Sequence, residues 1–329
     1  MIKALCFENY RVLQRARLPL GQLTLIVGPN GSGKSTALQP LVDFYGLGNK
    51  PRSEVASVGF DASPENRVEV RLEWGHPDEG CVTFARWDAG DGAHLGTHGV
   101  QGVSVGNVVG GRLERELRGT RLFSLDPRYV VAPVQVAPRL ELGQAGDGLA
   151  GVLDTLHDQY EERFEALNTE FCTWLPEFDR ILLESLQPGS KSILLRTRDG
   201  HHRIRATELS QGTALALAIL TLAHLPSPPT VVCLEEPDRG LHPRLLRSLY
   251  DAMLRLVRPG AFGETRPPVQ VIATTHSPFF LDLFRDHPED VVLAHKDGLF
   301  ARFERLVDRQ DLDQIIASSA LGDVWFSGV

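Results

Sequence analysis

Gly28-Pro29-Asn30-Gly31-Ser32-Gly33-Lys34-Ser35-Thr36 decides the reading of this chain. The nine residues fit the pattern G-x-x-x-x-G-K-S. They stand where that pattern has meaning, behind the apolar segment Leu23 to Val27 and ahead of helical spacing from about Gly33 to Phe44. The glycines let the backbone wrap a phosphate and turn its N–H groups inward, and the start of the helix adds a favourable dipole. Asn30, Gly31, Ser32, Gly33, Lys34, Ser35 and Thr36 are therefore the expected nucleotide-binding residues. Lys34 is expected to reach the β- and γ-phosphates of ATP, and Ser35 to ligate Mg²⁺.

Three further stretches gain meaning from that loop. Val231 to Leu234 is an apolar strand ending in Glu235-Glu236, where one carboxylate can hold Mg²⁺ and the other can polarise an attacking water. Leu209-Ser210-Gln211-Gly212-Thr213 precedes an Ala/Leu-rich helix, with Ser210 placed to cap it. His276, in Thr274-Thr275-His276-Ser277-Pro278, closes another strand and is placed to contact a γ-phosphate.

In this order the motifs resemble an ABC-type ATPase, and more closely the RecF, SMC and OLD-like branch. The likeness rests on Phe7-Glu8-Asn9-Tyr10-Arg11, on Glu235-Glu236-Pro237 with Gly240-Leu241-His242-Pro243, and on Thr274 to Pro278. The resemblance implies that Lys34 and Ser35 bind ATP·Mg²⁺ and that Glu235 is the outer metal carboxylate. It implies Glu236 as the general base and His276 as the switch histidine. Ser210 and Gly212 would contact the ATP of a second copy in a head-to-tail dimer. The glutamine loop of such proteins is not evident; Gln101 and Gln135 are weak candidates. A transporter subunit is the first alternative, disfavoured by the signature wording and by Gly-Leu-His-Pro. A scaffold using ATP only as dimer glue is disfavoured by Glu236 and His276.

Outward from the motifs, the pattern is α/β: a P-loop ATPase head with a mostly parallel core sheet, an antiparallel β-rich arm and a short helical insert. The expected division is an N-terminal lobe over 1–150, a helical insert over 151–190 and a C-terminal lobe over 191–329. Within it, Val68 to Trp87 alternates as a hairpin, Ala89 to Gly111 reads as an exposed mobile loop, and Val152 to Leu186 reads as helix broken near Pro176. The chain lacks the long heptad arms of SMC proteins, and only some fifty residues follow His276, so it reads as an ATPase without an appended nuclease domain. DNA repair or defence against foreign DNA, with a separately encoded nuclease or other effector, is the implied setting.

Composition limits the classes. Lys and Arg total 34 against 42 Asp and Glu, a net charge of −8, which argues against constitutive, avid nucleic-acid binding. No window approaches the eighteen or so apolar residues of a membrane span. Without a signal peptide, and with four scattered cysteines, the chain is expected in the cytoplasm with free thiols. His94 and His98 lack a third zinc ligand, and Asp308, Asp311 and Asp313 read as a solvated helix start. One basic surface is predicted. Lys191 to Arg205 reads as a hairpin turning at Asp199-Gly200, pairing Arg198 with His201, Arg196 with Arg203 and Leu194 with Arg205. One face then carries Arg196, Arg198, His201, Arg203 and Arg205, opposite an apolar face of Ile193, Leu195 and Ile204. It is either neutralised within the fold or a contact for DNA or RNA phosphates.

Overall fold

The computed structural model describes residues 1–60, 66–88, 92–99, 104–105, 111–137, 140–312 and 321–322. The chain forms two compact units that interleave in sequence. The first comprises Met1–Arg121, Thr230–Cys233 and Gln270–Val329; the second comprises Leu122–Pro229 and Leu234–Val269.

In chain order the elements begin with β1 (Ile2–Tyr10), β2 (Leu13–Pro19), β3 (Leu23–Val27), α1 (Lys34–Val42) and α2 (Arg52–Val55). There follow β4 (Val68–Trp74), β5 (Val82–Trp87), β6 (His94–His98), β7 (Ser104–Val105), α3 (Arg112–Arg118) and β8 (Thr120–Phe123). Next come α4 (Pro127–Val130), β9 (Val134–Gln135), α5 (Leu149–Gln159), α6 (Glu161–Trp174), β10 (Phe178–Gln187), β11 (Ser190–Thr197) and β12 (Arg203–Arg205). The chain then runs through α7 (Gln211–His224), β13 (Val231–Glu235), α8 (Leu246–Val257), β14 (Gln270–Thr275), α9 (Pro278–Leu281), β15 (Val291–Asp297) and β16 (Phe300–Arg305).

The core sheet has the order β16-β15-β3-β14-β13-β8, so the strand before the P-loop is central. β3 is parallel to both neighbours, β14 and β15, and all five of its residues are buried. A strand covered on both faces has no solvent side, which is why Leu23 to Val27 is apolar at every position but the buried Thr24. An antiparallel sheet, β2-β1-β4-β5-β6-β7, forms the expected arm.

That arm reaches further than the sequence reading. Ala89 to Gly111 was expected as loop, yet β6 pairs with β5 from Val82↔His98 to Arg86↔His94. Gly96 faces Phe84 across the ladder, and a side chain there would strike the ring, its Cβ coming 2.6 Å from Cζ. The glycine is thus a seat for an aromatic ring as well as a loop residue. His98 stacks on the same ring with centroids 4.7 Å apart.

In the second unit, the helical reading of Val152 to Leu186 holds through α5 and α6 and fails after Pro176. β10 is a strand, antiparallel to β11 in the sheet β10-β11-β12, with β9 also pairing β11. Phe178 and Ile181 are both buried, a spacing of three that imitates a helix. A register shift between Phe178 and Arg180 produces it: one extra residue on β10 restores Ile181 to the inner face. Asn168 Oδ1 on α6 accepts the Ile181 N–H at 2.7 Å beside that shift. α7 is buried throughout from Thr213 to His224, as a core helix. No helix among the described residues is long and apolar enough to cross a membrane. The four cysteines are free thiols; burial, and then the Glu73 hydrogen bond, push Cys6 up to about 11.

Candidate active site at the strand ends

The P-loop lies at the C-terminal end of β3, the edge where open α/β sheets bind ligands. Gly33 has φ +83°, and a Cβ there would lie 2.9 Å from the Ala301 methyl, so both its conformation and its space demand glycine. Ser32 N–H donates to Pro29 O at 3.2 Å, folding the loop, while Ser32 Oγ is buried with no hydrogen-bond partner among the described residues. A buried hydroxyl left in this state is consistent with a loop built around an oxygen-rich ligand. Lys34 is buried, and its Nζ donates to Gly28 O at 2.8 Å and Pro29 O at 3.0 Å. Asn30, Gly31 and Ser35 are exposed and Thr36 half-buried. The first turn of α1 leaves its N–H groups without intrahelical acceptors, facing this loop.

His276 reaches the same edge by strand register. Thr275 of β14 pairs with Val27 of β3, so His276 and Gly28 are the next residues on adjacent parallel strands. Thr275 Oγ1 accepts the Ser277 N–H at 2.9 Å, and Ser277 Oγ accepts the Phe280 N–H at 3.2 Å, which fixes the chain as it leaves β14.

Glu235 ends β13, half-buried, and Glu236 follows with φ +44°. A left-handed backbone is unfavourable for a residue with a Cβ, and such strain collects at functional positions. Glu236 O accepts the Arg239 N–H at 2.9 Å, and the Arg239 guanidinium stands 4.0 Å from the carboxylate. The signature segment starts α7: Ser210 Oγ accepts the Thr213 N–H at 3.1 Å, the N-cap read from sequence. Ser210 and Gln211 are exposed and Gly212 is half-buried, although the helix is buried from Thr213 to His224. A Cβ on Gly212 would come within 2.9 Å of Gly240 O, so this glycine also serves a close backbone contact with the segment after Glu236.

The arginine hairpin keeps the expected register, Leu194↔Arg205 and Arg196↔Arg203. Its ladder stops short of Arg198 and His201, because Asp199 Oδ1 accepts the His201 N–H at 3.0 Å and shapes the turn. Arg196 makes paired bonds to Asp179 at 2.8 and 3.0 Å, Arg198 donates to main-chain carbonyls including Phe178 O, and Arg205 lies 3.5 Å from Glu184. Arg203 is exposed, with no ion-pair partner among the described residues. Gln135 pairs with Ser190 in the second sheet, while Gln101 and Asp313 lie outside the described residues. Asp311 pairs with Arg309 at 2.6 Å.

Residues 61–282 match the family described as "AAA domain, putative AbiEii toxin, Type IV TA system", 222 of the 329 residues. The chain belongs to this AAA-domain family. It is also similar to the OLD nuclease of Thermus scotoductus (strain ATCC 700910 / SA-01), 24% identical over 368 residues, covering 98% of this chain and 68% of the relative. Among solved structures it resembles the SMC head bound to the C-winged helix domain of ScpA, with TM-score 0.60, 16% identity and 92% and 96% of the two chains covered. The SMC head of Thermotoga maritima gives TM-score 0.51 and 17% identity over 92% and 98%. This AAA-domain protein is an ABC-type ATPase of the RecF, SMC and OLD-like branch, with the P-loop fold of SMC heads.

Proposed function

We propose that ATP hydrolysis in this chain runs at a composite site completed by a second copy, arranged head to tail. Residues Asn30 to Thr36 cradle the phosphates, with Lys34 on the β- and γ-phosphates. Glu236 takes the proton from the attacking water, and His276 holds the γ-phosphate. Ser210 and Gly212 act on the nucleotide of the partner copy. The observation that carries this reading is the register of β14 on β3, which supports a shared edge for His276 and the P-loop. The exposed N-terminus of the otherwise buried α7 supports the second half: a rigid helix end offers its N–H groups outward to a phosphate.

P-loop ATPases of this kind generally use Mg²⁺. The exposed Ser35 hydroxyl and the Glu235 carboxylate are hard oxygen donors of the type that ion takes, and the unpartnered Ser32 hydroxyl fits an oxygen-rich ligand in the loop. When bound, Mg²⁺ neutralises charge developing on the phosphate oxygens. The likeness to an OLD nuclease and to SMC heads favours DNA repair or defence against foreign DNA as the setting. The partners there would be nucleic acid and a separately encoded nuclease or other effector.

Light scattering of Glu236→Gln with ATP·Mg²⁺ tests the composite site. The variant is expected to run at about twice the monomer mass, and adding Ser210→Arg is expected to return it to monomer. A monomeric Glu236→Gln protein at micromolar concentration with saturating ATP overturns the proposal.

A further inference from the structure

β15 runs parallel to β3, with Leu293 opposite Val27, and therefore passes the P-loop as it continues. Ala294 lies against the start of the loop: a Cβ on Gly28 would come 2.8 Å from its methyl carbon. Side chains alternate along a strand, so Lys296 shares the face of Ala294. Its cross-strand partner on β16 is Ala301, whose methyl carbon would lie 2.9 Å from a Cβ on Gly33. Ala294, Lys296 and Ala301 thus form one face of the β15–β16 hairpin, laid along Gly28, Gly31 and Gly33. The two alanines are small enough to let the loop approach. Between them, Lys296 Nζ stands 3.9 Å from the Cβ position of Gly31.

The environment of that ammonium group is unusual for this chain. Carboxylates exceed basic residues, 42 to 34, yet Lys296 has no ion-pair or hydrogen-bond partner among the described residues. Across the hairpin, His295 pairs with Arg302. Lys34 is held inside the loop by two carbonyls, whereas Lys296 is exposed on its outer side.

We infer that Lys296 is a second cation of the nucleotide site, contacting the phosphate chain of a bound nucleoside triphosphate from the β15 side of the P-loop. The inference rests on the P-loop binding ATP. Mg²⁺ and one buried lysine together carry less positive charge than a fully ionised triphosphate carries negative charge, and an ammonium group on a rigid strand supplies a charge-assisted bond without reordering the loop.

Calorimetric titration with ATP·Mg²⁺ and with adenosine, on wild type, Lys296→Ala, Lys296→Arg and Lys34→Ala, tests it. Lys296→Ala is expected to weaken ATP binding by about tenfold or more and to leave adenosine binding unchanged, with Lys296→Arg recovering most of the loss. Salt should also weaken ATP binding less steeply in Lys296→Ala than in wild type. Lys296 is exposed and unpaired among the described residues, so the variants should melt with the wild type. ATP affinity within twofold of wild type in Lys296→Ala, or an equal loss for adenosine, overturns the inference. A wild-type protein that fails to bind ATP, with Lys34→Ala indistinguishable from it, overturns the nucleotide reading itself.

Discussion

At the scale of single residues, Glu236, the proposed general base, sits on strained backbone. Its backbone occupies the left-handed region at φ +44°, which penalises any residue with a Cβ by about 1 kcal/mol relative to glycine. Glu236→Gly should therefore be more stable than Glu236→Ala by about 1 kcal/mol, while both lose hydrolysis. For a chain of this size that is a rise of roughly 2 °C in melting temperature. Equal melting temperatures for the two variants would mean that the backbone stores no such strain. This strain was not legible in the sequence: Glu235 and Glu236 look equivalent as letters, and only the turn after β13 separates them. Lys296 was missed for a similar reason. Nothing in Ala294-His295-Lys296 marks a site until strand register lays it beside Gly31. The alternation of small Ala294 with Lys296 was the available signal, and it has meaning only once β15 is known to neighbour β3.

At the scale of elements, α6, α7 and α8 are tied by charge as well as by packing. Glu170 on α6 accepts from His224 on α7 at 2.9 Å and from Arg255 on α8 at 2.7 Å; Arg255 also reaches Glu264 at 3.0 Å, and Glu264 binds Arg266 at 2.7 Å. Burial pushes both carboxyls up. For Glu170 the His224 bond and the Arg255 charge more than offset it; for Glu264 the Arg266 and Arg255 contacts do, so both titrate below their ordinary value of 4.5. A lowered carboxyl stabilises the fold above its unfolded value and releases that stability as pH falls, because the unfolded chain then binds more protons. The stability contributed here is complete above about pH 4.5 and declines below it. Glu264→Gln should cost about 2 kcal/mol at pH 7, and its melting temperature should fall less steeply than that of wild type between pH 5 and pH 3. Parallel pH curves for the two proteins would show that Glu264 does not carry this dependence. The same region marks the limit of reading elements from periodicity. α5 and α6 follow from apolar spacing, but β10 imitates that spacing because one bulge sets Phe178 and Ile181 three apart on one face.

At the scale of the whole molecule, the sequence was most legible where burial is complete. β3 and β14 are buried along their whole length, and the glycine loop between β3 and α1 has few competing explanations, so the ATPase class follows from residues 23–36 with the strands that flank them. The arm was less legible, since β6 depends on a glycine seated over Phe84 and not on its own hydrophobicity. The basic hairpin was legible in register but not in use: Asp179 and main-chain carbonyls engage arginines whose partners no local pattern names. The proposed hydrolysis depends on Glu236 acting as the base. Steady-state ATP turnover by wild type and Glu236→Gln, measured beside their ATP affinities, tests it most directly. Turnover of Glu236→Gln is expected to fall by about 10²–10⁴-fold with ATP binding retained. Turnover by Glu236→Gln at the wild-type rate would remove Glu236 from the role of base.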